Sequence, residues 1–267
     1  MNSKRIPCPQ CDRGSNDKAM IETVDERGVR RYCHRCGQTE VQNFERPSAA
    51  PSSVRPVTVK EPTEPLSWSA KAEAIWRRTQ PLEGTLGAQY LAHRRCMLPP
   101  ADSDLRFLPA SGDYPPSLCA RVTDFASNKP TSLHFTRLAA DGCGKAGSDC
   151  DKVLLAGHRK RGGCIRLWPD EAVTRSLGIA EGIESALAAA HLHRPVWAAI
   201  DAANLKAFPV LRGIESLVIF ADADDIGLHT ARECARRWDR AGCEVRIRRP
   251  RTRGWDLADV MAATRAA

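Results

Sequence analysis

The chain has 267 residues, which is enough to bury a sizeable core and to form more than one folded unit. Its 40 lysine and arginine residues exceed its 32 aspartate and glutamate residues, and the formal net charge of +8 suits an anionic partner such as nucleic acid. No apolar run approaches the roughly 20 residues that span a bilayer, and the first residues lack the apolar stretch of a signal peptide, so we expect a cytoplasmic protein without a membrane partner.

Two closely spaced pairs of cysteines lie in the first 45 residues. Cys8 and Cys11 stand in "PCPQCD", and Cys33 and Cys36 stand in "YCHRCG". Two residues between thiols let one tight turn direct both sulfurs at a tetrahedral ion, and the chain between the pairs is long enough for a β-hairpin. The pattern predicts a zinc ribbon over residues 1–45, with a structural Zn²⁺ held by four thiolates. The odd total of eleven cysteines also favours reduced thiols over a disulfide framework.

The next segment is rich in proline and serine. Residues 46–66 contain no aromatic residue and cannot bury enough surface to fold, so we predict a flexible linker. Apolar residues then recur at helical spacing and predict two helices, and four short strand-like runs follow: "SLCARVTDF", "SLHFTRL", "KVLLAG" and "CIRLW". We therefore predict a small α+β domain over residues 67–172.

The last third of the chain alternates apolar strands with helical segments. Its strand-like runs are "RSLGIAEG", "PVWAAID", "SLVIFAD" and "CEVRIRRP". This order predicts an α/β fold over residues 173–267, with a parallel sheet flanked by helices. Ligands of such sheets bind at the carboxyl ends of the strands, so residues at those ends are the first candidates for a site.

Acidic residues stand at two of these strand ends. Asp222 and Asp224 follow "SLVIF", and their spacing of two directs both side chains to the same side of an extended chain. Glu181 ends another strand, and we expect Gly182 to let the chain turn tightly into the next helix. Three carboxylates that converge favour a Mg²⁺ site, whereas an acidic pair taken alone is more often a helix N-cap.

These acidic segments resemble a known family. "LGIAEGIESALAA" followed by "LVIFADADDIGLHTA" is similar to the Toprim domain of bacterial-type primases, topoisomerases, certain nucleases and recombination mediators. The resemblance implies that Glu181, Asp222 and Asp224 are catalytic and bind Mg²⁺ or Mn²⁺. "GWDLADV" resembles a third acidic segment of phage and plasmid members and implies a metal-binding role for Asp256 and Asp259, although many relatives carry Asn-Asp where this chain has Ala258-Asp259.

The resemblance extends upstream of the acidic segments. The ribbon is similar to the zinc-binding domain of phage primase-helicases, and "IWRRTQPLEGTLGAQYL" and "KVLLAGHRKRGGCIRL" resemble the middle region of phage and plasmid Toprim primases. The order of ribbon, linker, middle domain and Toprim is the order found in primases. The chain has no Walker-type Gly-Lys-Ser/Thr loop, so the resemblance implies a separate replicative helicase as partner.

Basic residues precede and follow the acidic segments. One group is Lys145, Lys152, Arg159, Lys160, Arg161 and Arg166, and a second is led by Arg246 and Arg248. We predict that both groups contact nucleotide or DNA, the alternative for the first being a solvated hairpin. We expect the Gly162-Gly163 pair to permit close approach of the backbone to a phosphate. Lys152 matches a primase lysine, and the resemblance implies that it holds a triphosphate.

The function that these observations favour is a DNA primase. Such an enzyme starts a short RNA from ribonucleoside triphosphates on a single-stranded DNA template. Two alternatives stay open: a recombination mediator that clamps DNA without chemistry, and a Toprim nuclease that uses the same acids to hydrolyse phosphodiesters. A topoisomerase is disfavoured, because none of the three tyrosines stands in a recognisable strand-cleaving domain.

Overall fold

The computed structural model describes residues 2–11, 18–25, 28–33, 35–36, 38–43, 68–148 and 150–263. The chain divides into two compact units, Met1–Glu64 and Pro65–Ala267. The predicted linker at residues 46–66 lies outside the described residues, and the predicted boundary between residues 172 and 173 stays a prediction. In the described ranges, no helix is both long and apolar enough to cross a membrane.

The first unit contains a four-stranded antiparallel sheet. Its strands lie side by side in chain order: β1 Asn2–Ile6, β2 Met20–Asp25, β3 Gly28–Cys33 and β4 Thr39–Asn43. The strands β2 and β3 form the hairpin that the cysteine spacing predicted. Met20 pairs with Cys33 in this hairpin and is buried together with Cys8, so the core of the sheet contains the cysteine side chains themselves.

The second unit begins with helices and an antiparallel sheet. The helices are α1 Ala70–Arg77 and α2 Leu86–His93; the strands are β5 Leu105–Leu108, β6 Ser117–Asp124, β7 Pro130–Arg137, β8 Lys152–Leu154 and β9 Gly163–Cys164. Ser69 and Thr85 start the helices, since each hydroxyl accepts a hydrogen bond from the amide three residues on. Both predicted helices and three of the four predicted strands are confirmed; the run "CIRLW" overlaps β9 only at Cys164, and β5 was not predicted.

The sheet order explains where the later strands lie. The strands run β5-β6-β7-β8, and β9 pairs with the end of β6. A short 3-10 helix, Asp170–Ala172, then leads into the last part of the chain.

The last part forms the predicted parallel sheet. Its strands are β10 Ser176–Ala180, β11 Val196–Ala198, β12 Ser216–Phe220 and β13 Glu244–Arg248, in the order β11-β10-β12-β13. Its helices are α3 Ile183–Ala189, α4 Ala202–Ala207, α5 Asp225–Arg240 and α6 Leu257–Ala263. The central strands β10 and β12 are almost wholly buried, as expected for parallel strands covered on both faces. The predicted α/β fold is confirmed.

The two faces of the parallel sheet pack against different partners. Alternate residues such as Ile179 and Ile219 pack with Trp238 of α5 on one face. On the other face, Phe220 shares a core with Leu187 of α3 and with side chains of α2, β5 and β6. The second unit therefore has a core that continues from the antiparallel sheet into the parallel sheet.

Backbone hydrogen bonds also join the two sheets. Ile165, just after β9, exchanges hydrogen bonds of 2.8 and 3.0 Å with Ala198 of the edge strand β11. This bridge extends the parallel sheet by one residue of the preceding region. It fixes the antiparallel sheet beside the parallel one.

Arg166 reinforces the joint and is not a surface residue. Its guanidinium group is buried, donates hydrogen bonds to the Thr123 hydroxyl at 2.6 Å and the Phe125 carbonyl at 3.0 Å, and pairs with Asp170. It also lies 4.4 Å from the ring centroid of Trp197. The prediction that Arg166 contacts nucleic acid was wrong, because this side chain is buried between the two sheets and is bonded to protein groups there.

Candidate functional site

The four predicted zinc ligands are gathered in the first unit. The Sγ atoms of Cys8 and Cys36 lie 3.7 Å apart, as do those of Cys11 and Cys33, and all four sulfurs lie within 4.8 Å of one another. Zn–S bonds of about 2.3 Å place the sulfurs of a tetrahedral site about 3.8 Å apart. The cysteine cluster therefore fits a structural Zn²⁺ without rearrangement.

Glu181 and Asp222 stand at the carboxyl ends of strands in the parallel sheet, and we call this end of the sheet the acidic edge. Their strands, β10 and β12, are direct neighbours, and Ala180 pairs with Phe220 at the last position of each. The segment around Asp222 is held on both sides, because the amide of Ala221 donates to the Arg248 carbonyl at 2.9 Å and that of Ala223 donates to the Trp255 carbonyl at 2.8 Å. The structure thus places two of the three predicted catalytic residues just after the ends of neighbouring strands, and their catalytic role stays a prediction.

Asp224 occupies the N-cap of α5. Its Oδ1 accepts a hydrogen bond from the amide of Gly227 at 2.7 Å. Gly227 is packed against the backbone of Asp222, since a Cβ at this position would lie 2.8 Å from the Asp222 carbonyl oxygen. Asp224 therefore performs the capping role that was weighed as its alternative, and its role as a metal ligand stays a prediction.

The donor set at the strand ends suits magnesium. Of the described histidine, cysteine, aspartate and glutamate side chains, only the zinc cysteines bring three or more ligand atoms within 4.8 Å of one another. Mg²⁺ commonly takes one or two protein carboxylates and completes its shell with water and substrate phosphates. Glu181 and Asp222 are ligands of the type that such an open site uses, and their binding of a metal stays a prediction.

The third acidic segment lies at the start of α6. Asp256 Oδ1 accepts from the Asp259 amide at 2.8 Å, and Asp259 Oδ2 accepts from the Asp256 amide at 3.1 Å, which is a reciprocal capping arrangement. The Ser185 hydroxyl donates to Asp256 at 3.1 Å, and Arg94 lies 3.6 Å from Asp259. These contacts place Asp256 and Asp259 beside α3, and their binding of a metal stays a prediction.

A buried glutamate that the sequence did not single out joins the acidic edge to the basic residues. Glu184 of α3 accepts hydrogen bonds from Lys152 Nζ at 2.9 Å and from the Tyr90 hydroxyl at 3.0 Å, and Lys145 Nζ lies 3.5 Å away. Burial alone would raise the pKa of Glu184, but Lys152 and Lys145 hold it well below its usual range. The only signal in the sequence was a charge within the apolar run "IESALAAA".

Gly182 has a different role from the one predicted. Its backbone is ordinary and extended, with φ at −108°, so no turn requires glycine here. A Cβ at Gly182 would instead lie 3.7 Å from Lys152 Nζ. The ammonium group of Lys152 is thus next to the residue that follows Glu181.

The basic loop between β8 and β9, residues 155–162, is hydrogen-bonded to α4 beside the parallel sheet. Asn204 of α4 donates to the Lys160 carbonyl and accepts from the Gly162 amide, each at 3.1 Å. A Cβ at Gly163 would lie 2.6 Å from Val122. Gly163 therefore allows the loop to pack against the protein, contrary to the prediction that it makes room for a phosphate, and Gly162 has a positive φ of +76° and an amide bonded to Asn204.

Most of the charged side chains in this loop have protein partners. Arg159 pairs with Asp124 at 2.8 Å, and Lys160 pairs with Asp201, the residue that caps α4. Arg161 is exposed. Of the loop cations, Arg161 is thus the one that the structure presents directly to solvent.

Arg246 and Arg248 lie on the edge strand β13 and are both exposed. Arg246 pairs with Glu244 at 2.6 Å. Arg248 is opposite Phe220 at the carboxyl end of the sheet, and its carbonyl holds the segment that leads to Asp222. This arrangement places Arg248 closer along the strand to the acidic edge than Arg246.

Comparison with known families assigns both halves of the second unit. Residues 68–167 match the model of a domain of unknown function, DUF7146, and residues 176–267 match the model of the Toprim domain. The Toprim match confirms the predicted resemblance and contains Glu181, Asp222 and Asp224. The other match contains Tyr90, Lys145 and Lys152. No curated protein sequence matches the chain.

Several solved structures of primases are similar, each at 14% identity. The alignment with the primase fragment of the bacteriophage T7 primase-helicase covers 97% of this chain and 94% of that one, with a TM-score of 0.44. Alignments with a DNA primase domain from Pseudomonas aeruginosa and with the zinc-binding and RNA polymerase domains of the Aquifex aeolicus primase each cover 68% of this chain. They cover 57% and 53% of those chains, with TM-scores of 0.38 and 0.41, so this chain spans just over half of either bacterial structure.

Proposed function

We propose that this chain, which carries a Toprim domain over residues 176–267, is a DNA primase that makes short RNA primers on single-stranded DNA. The observation that carries the proposal is that acidic residues and a lysine lie close to one another at the acidic edge. Glu181 and Asp222 end neighbouring strands, and Lys152 lies against the turn that follows Glu181. Carboxylates for a divalent ion beside cations for phosphate are the parts that nucleotidyl transfer requires.

The proposed roles follow from these positions. Glu181, Asp222 and Asp224 would hold Mg²⁺ or Mn²⁺, with Asp256 and Asp259 as further ligands. The bound ions would stabilise negative charge on the attacking and leaving oxygens. Glu181 would either bind a second ion or aid removal of the proton of the attacking 3′-hydroxyl group, and Lys145 and Lys152 would bind the triphosphate.

The template and partner assignments rest on charge and module order. Arg159, Lys160 and Arg161 in the basic loop, with Arg246 and Arg248 on β13, would contact the DNA backbone. The zinc ribbon would select the start site, with Zn²⁺ serving to fold it. A separate replicative helicase in the cytoplasm would be the protein partner.

One assay separates the proposed activity from its alternatives. The protein is incubated with single-stranded DNA, all four ribonucleoside triphosphates and Mg²⁺ or Mn²⁺. New oligoribonucleotides would support a primase, shortened DNA would indicate a nuclease, and a shifted but intact strand would indicate a recombination mediator.

The assignment of Asp222 is tested by Asp222→Ala. We expect this variant to fold and to keep its zinc but to lose synthesis. Asp225→Ala is the matched control, because Asp225 lies three residues further on at the start of α5, has a side chain 89% exposed to solvent, and pairs with Arg253 at the surface. Synthesis that persists in Asp222→Ala would show that this aspartate is not catalytic.

A further inference from the structure

We infer that Glu184 is a positioning residue that holds Lys145 and Lys152 as a pair facing the nucleotide triphosphate, an inference that rests on the proposed function. Glu184 lies three residues after Glu181, on the helix that begins at the acidic edge. The lysines come from the preceding antiparallel sheet: Lys152 begins β8, and Lys145 pairs with the chain just after β7. Glu184 is therefore the link that brings the cations of one region to the carboxylates of the other.

The exposure of the three side chains differs in a way that favours this role. The Glu184 side chain is 4% exposed, whereas those of Lys145 and Lys152 are 36% and 43% exposed. The Glu184 carboxylate is therefore shielded from solvent, whereas both lysine side chains are partly open to it. The cluster of one negative and two positive charges thus presents net positive charge outward, which suits a phosphate chain.

The geometry also explains why a carboxylate is needed between the lysines. Lys152 lies 2.9 Å from Oε2 and Lys145 lies 3.5 Å from Oε1, so each oxygen holds one ammonium group. Two ammonium groups held this close repel each other unless an anion lies between them. The Tyr90 hydroxyl donates to Oε1 and fixes the orientation of the carboxylate.

The position of Lys152 relative to Glu181 sets what the pair can bind. Lys152 Nζ lies 3.7 Å from where a Cβ of Gly182 would stand, directly after Glu181. A triphosphate whose metal is bound at Glu181 would therefore have its phosphates within reach of Lys152. Glu184 itself does not touch the nucleotide in this arrangement.

The test compares ligands that differ only in phosphate number. ATP, ADP and AMP are titrated with Mg²⁺ into the full chain and into Glu184→Gln, and binding is measured by calorimetry. We expect the affinity for ATP to fall roughly tenfold, as for the loss of one charge-assisted contact, and the affinity for AMP to change less than about twofold. An equal loss for ATP and AMP, an unchanged affinity for ATP, or a wild-type chain with no preference for ATP would overturn the inference.

Two further variants separate positioning from folding. Glu184→Asp keeps the charge but is one methylene shorter, so we expect it to fold and to lose part of the ATP affinity while AMP binding is kept; this variant decides the matter if Glu184→Gln fails to fold. Glu215→Gln is the control, since Glu215 is an exposed glutamate 3.8 Å from Arg175. We expect this control to bind all three nucleotides like the wild type.

The same variants distinguish this inference from the proposed function. In primer synthesis, we expect Glu184→Asp to raise the KM for ATP more than it lowers kcat, because only phosphate binding is disturbed. If the wild-type chain makes no primers but binds ATP in preference to AMP, and Glu184→Gln removes that preference, primase activity is wrong and the positioning role stands. If primers are made and the nucleotide series does not change in Glu184→Gln, the positioning role is wrong.

Discussion

At the scale of the residue, Gly227 sets the position of Asp222. The close approach of α5 to the Asp222 carbonyl leaves no room for a Cβ. In an exposed helix, exchanging glycine for alanine adds roughly 1 kcal/mol of stability through helix propensity. A loss of stability at Gly227 would therefore report the clash with the site segment.

We expect Gly227→Ala to lower the free energy of unfolding by about 1–3 kcal/mol, as overpacking does, and to reduce nucleotide incorporation. Urea unfolding and the primer assay measure the two effects. Gly144→Ala is the control, because a Cβ at Gly144 meets no atom within 4 Å and that residue does not have a positive φ. A Gly227→Ala protein as stable and active as Gly144→Ala would contradict the proposed packing of Asp222.

We expect His134 to make the stability of the second unit depend on pH. It is buried on β7, and its Nδ1 has no hydrogen-bond partner in the part of the chain that the structure describes. Burial, and then the nearby charge of Lys152, lower its pKa from 6.5 to about 4. Between these values the unfolded chain binds more protons, so the free energy of unfolding falls as the pH falls from 6.5 and levels off below about 4.

We expect this slope to be roughly 1 kcal/mol per pH unit, and His134→Leu to flatten it. Urea unfolding between pH 4 and 7 measures the slope for each variant. His229→Leu removes an exposed histidine of α5 and should keep the wild-type slope. An unchanged slope in His134→Leu would mean that another group causes the acid sensitivity.

At the scale of the element, the sequence predicted the order of most strands and helices but did not predict which side chains join them. Buried parallel strands are continuous apolar runs, so β10 and β12 were predicted together with the acids at their ends. The short strand β5, "LRFL", contains Arg106 and was not predicted. The spacing of apolar residues indicates whether a segment is a helix or a strand. A run of four residues that includes a charge is too short for this spacing to be recognised.

Charged residues that join elements were the part that the sequence did not predict. Glu184 and Arg166 both pair with residues far along the chain, on strands of the antiparallel sheet. A charged residue within an apolar run indicates a buried ion pair only when its partner is known. Spacing along the sequence cannot identify a partner that lies more than 30 residues away. The carboxylates at the strand ends were predicted because topology alone brings them together.

We expect Arg166→Ala to destabilise the second unit by about 3 kcal/mol or more, because it leaves buried partners unpaired between the two sheets. Arg161→Ala, in the same segment, should change stability by less than about 0.5 kcal/mol but weaken DNA binding and reduce its salt dependence. Urea unfolding and DNA binding at several salt concentrations measure these effects. Equal stability of the two variants would contradict the assignment of Arg166 to the joint.

At the scale of the whole molecule, the proposed active site depends on two sequence segments at once. The carboxylates lie in residues 176–267, and the lysines lie in residues 68–167. Two shared hydrophobic clusters and the backbone bridge between Ile165 and Ala198 hold these segments together. Neither segment alone therefore contains the parts that the proposed reaction needs.

We expect the first unit to depend on a bound metal for its folding, and the second unit to fold without one. Among the described residues of this unit, the buried apolar side chains are those of Cys8, Met20 and Cys33, so two of the three are predicted zinc ligands. A sheet of this size buries too little surface to fold by itself, and the binding energy of Zn²⁺ is then part of its folding energy. We expect one Zn²⁺ per chain, and Cys8→Ser to abolish its binding.

Tryptophan fluorescence separates the response of the two units, because all six tryptophans lie beyond residue 67. We expect removal of zinc to abolish the amide signals of β1–β4 in NMR spectra and the choice of start site, while the tryptophan-detected unfolding transition and ATP binding stay unchanged. Cys234→Ala is the control, because this buried thiol lies in the core of the second unit and should leave the zinc content at one. A tryptophan transition that shifts when zinc is removed would show that the second unit draws stability from the ribbon, contrary to a division into units with separate cores.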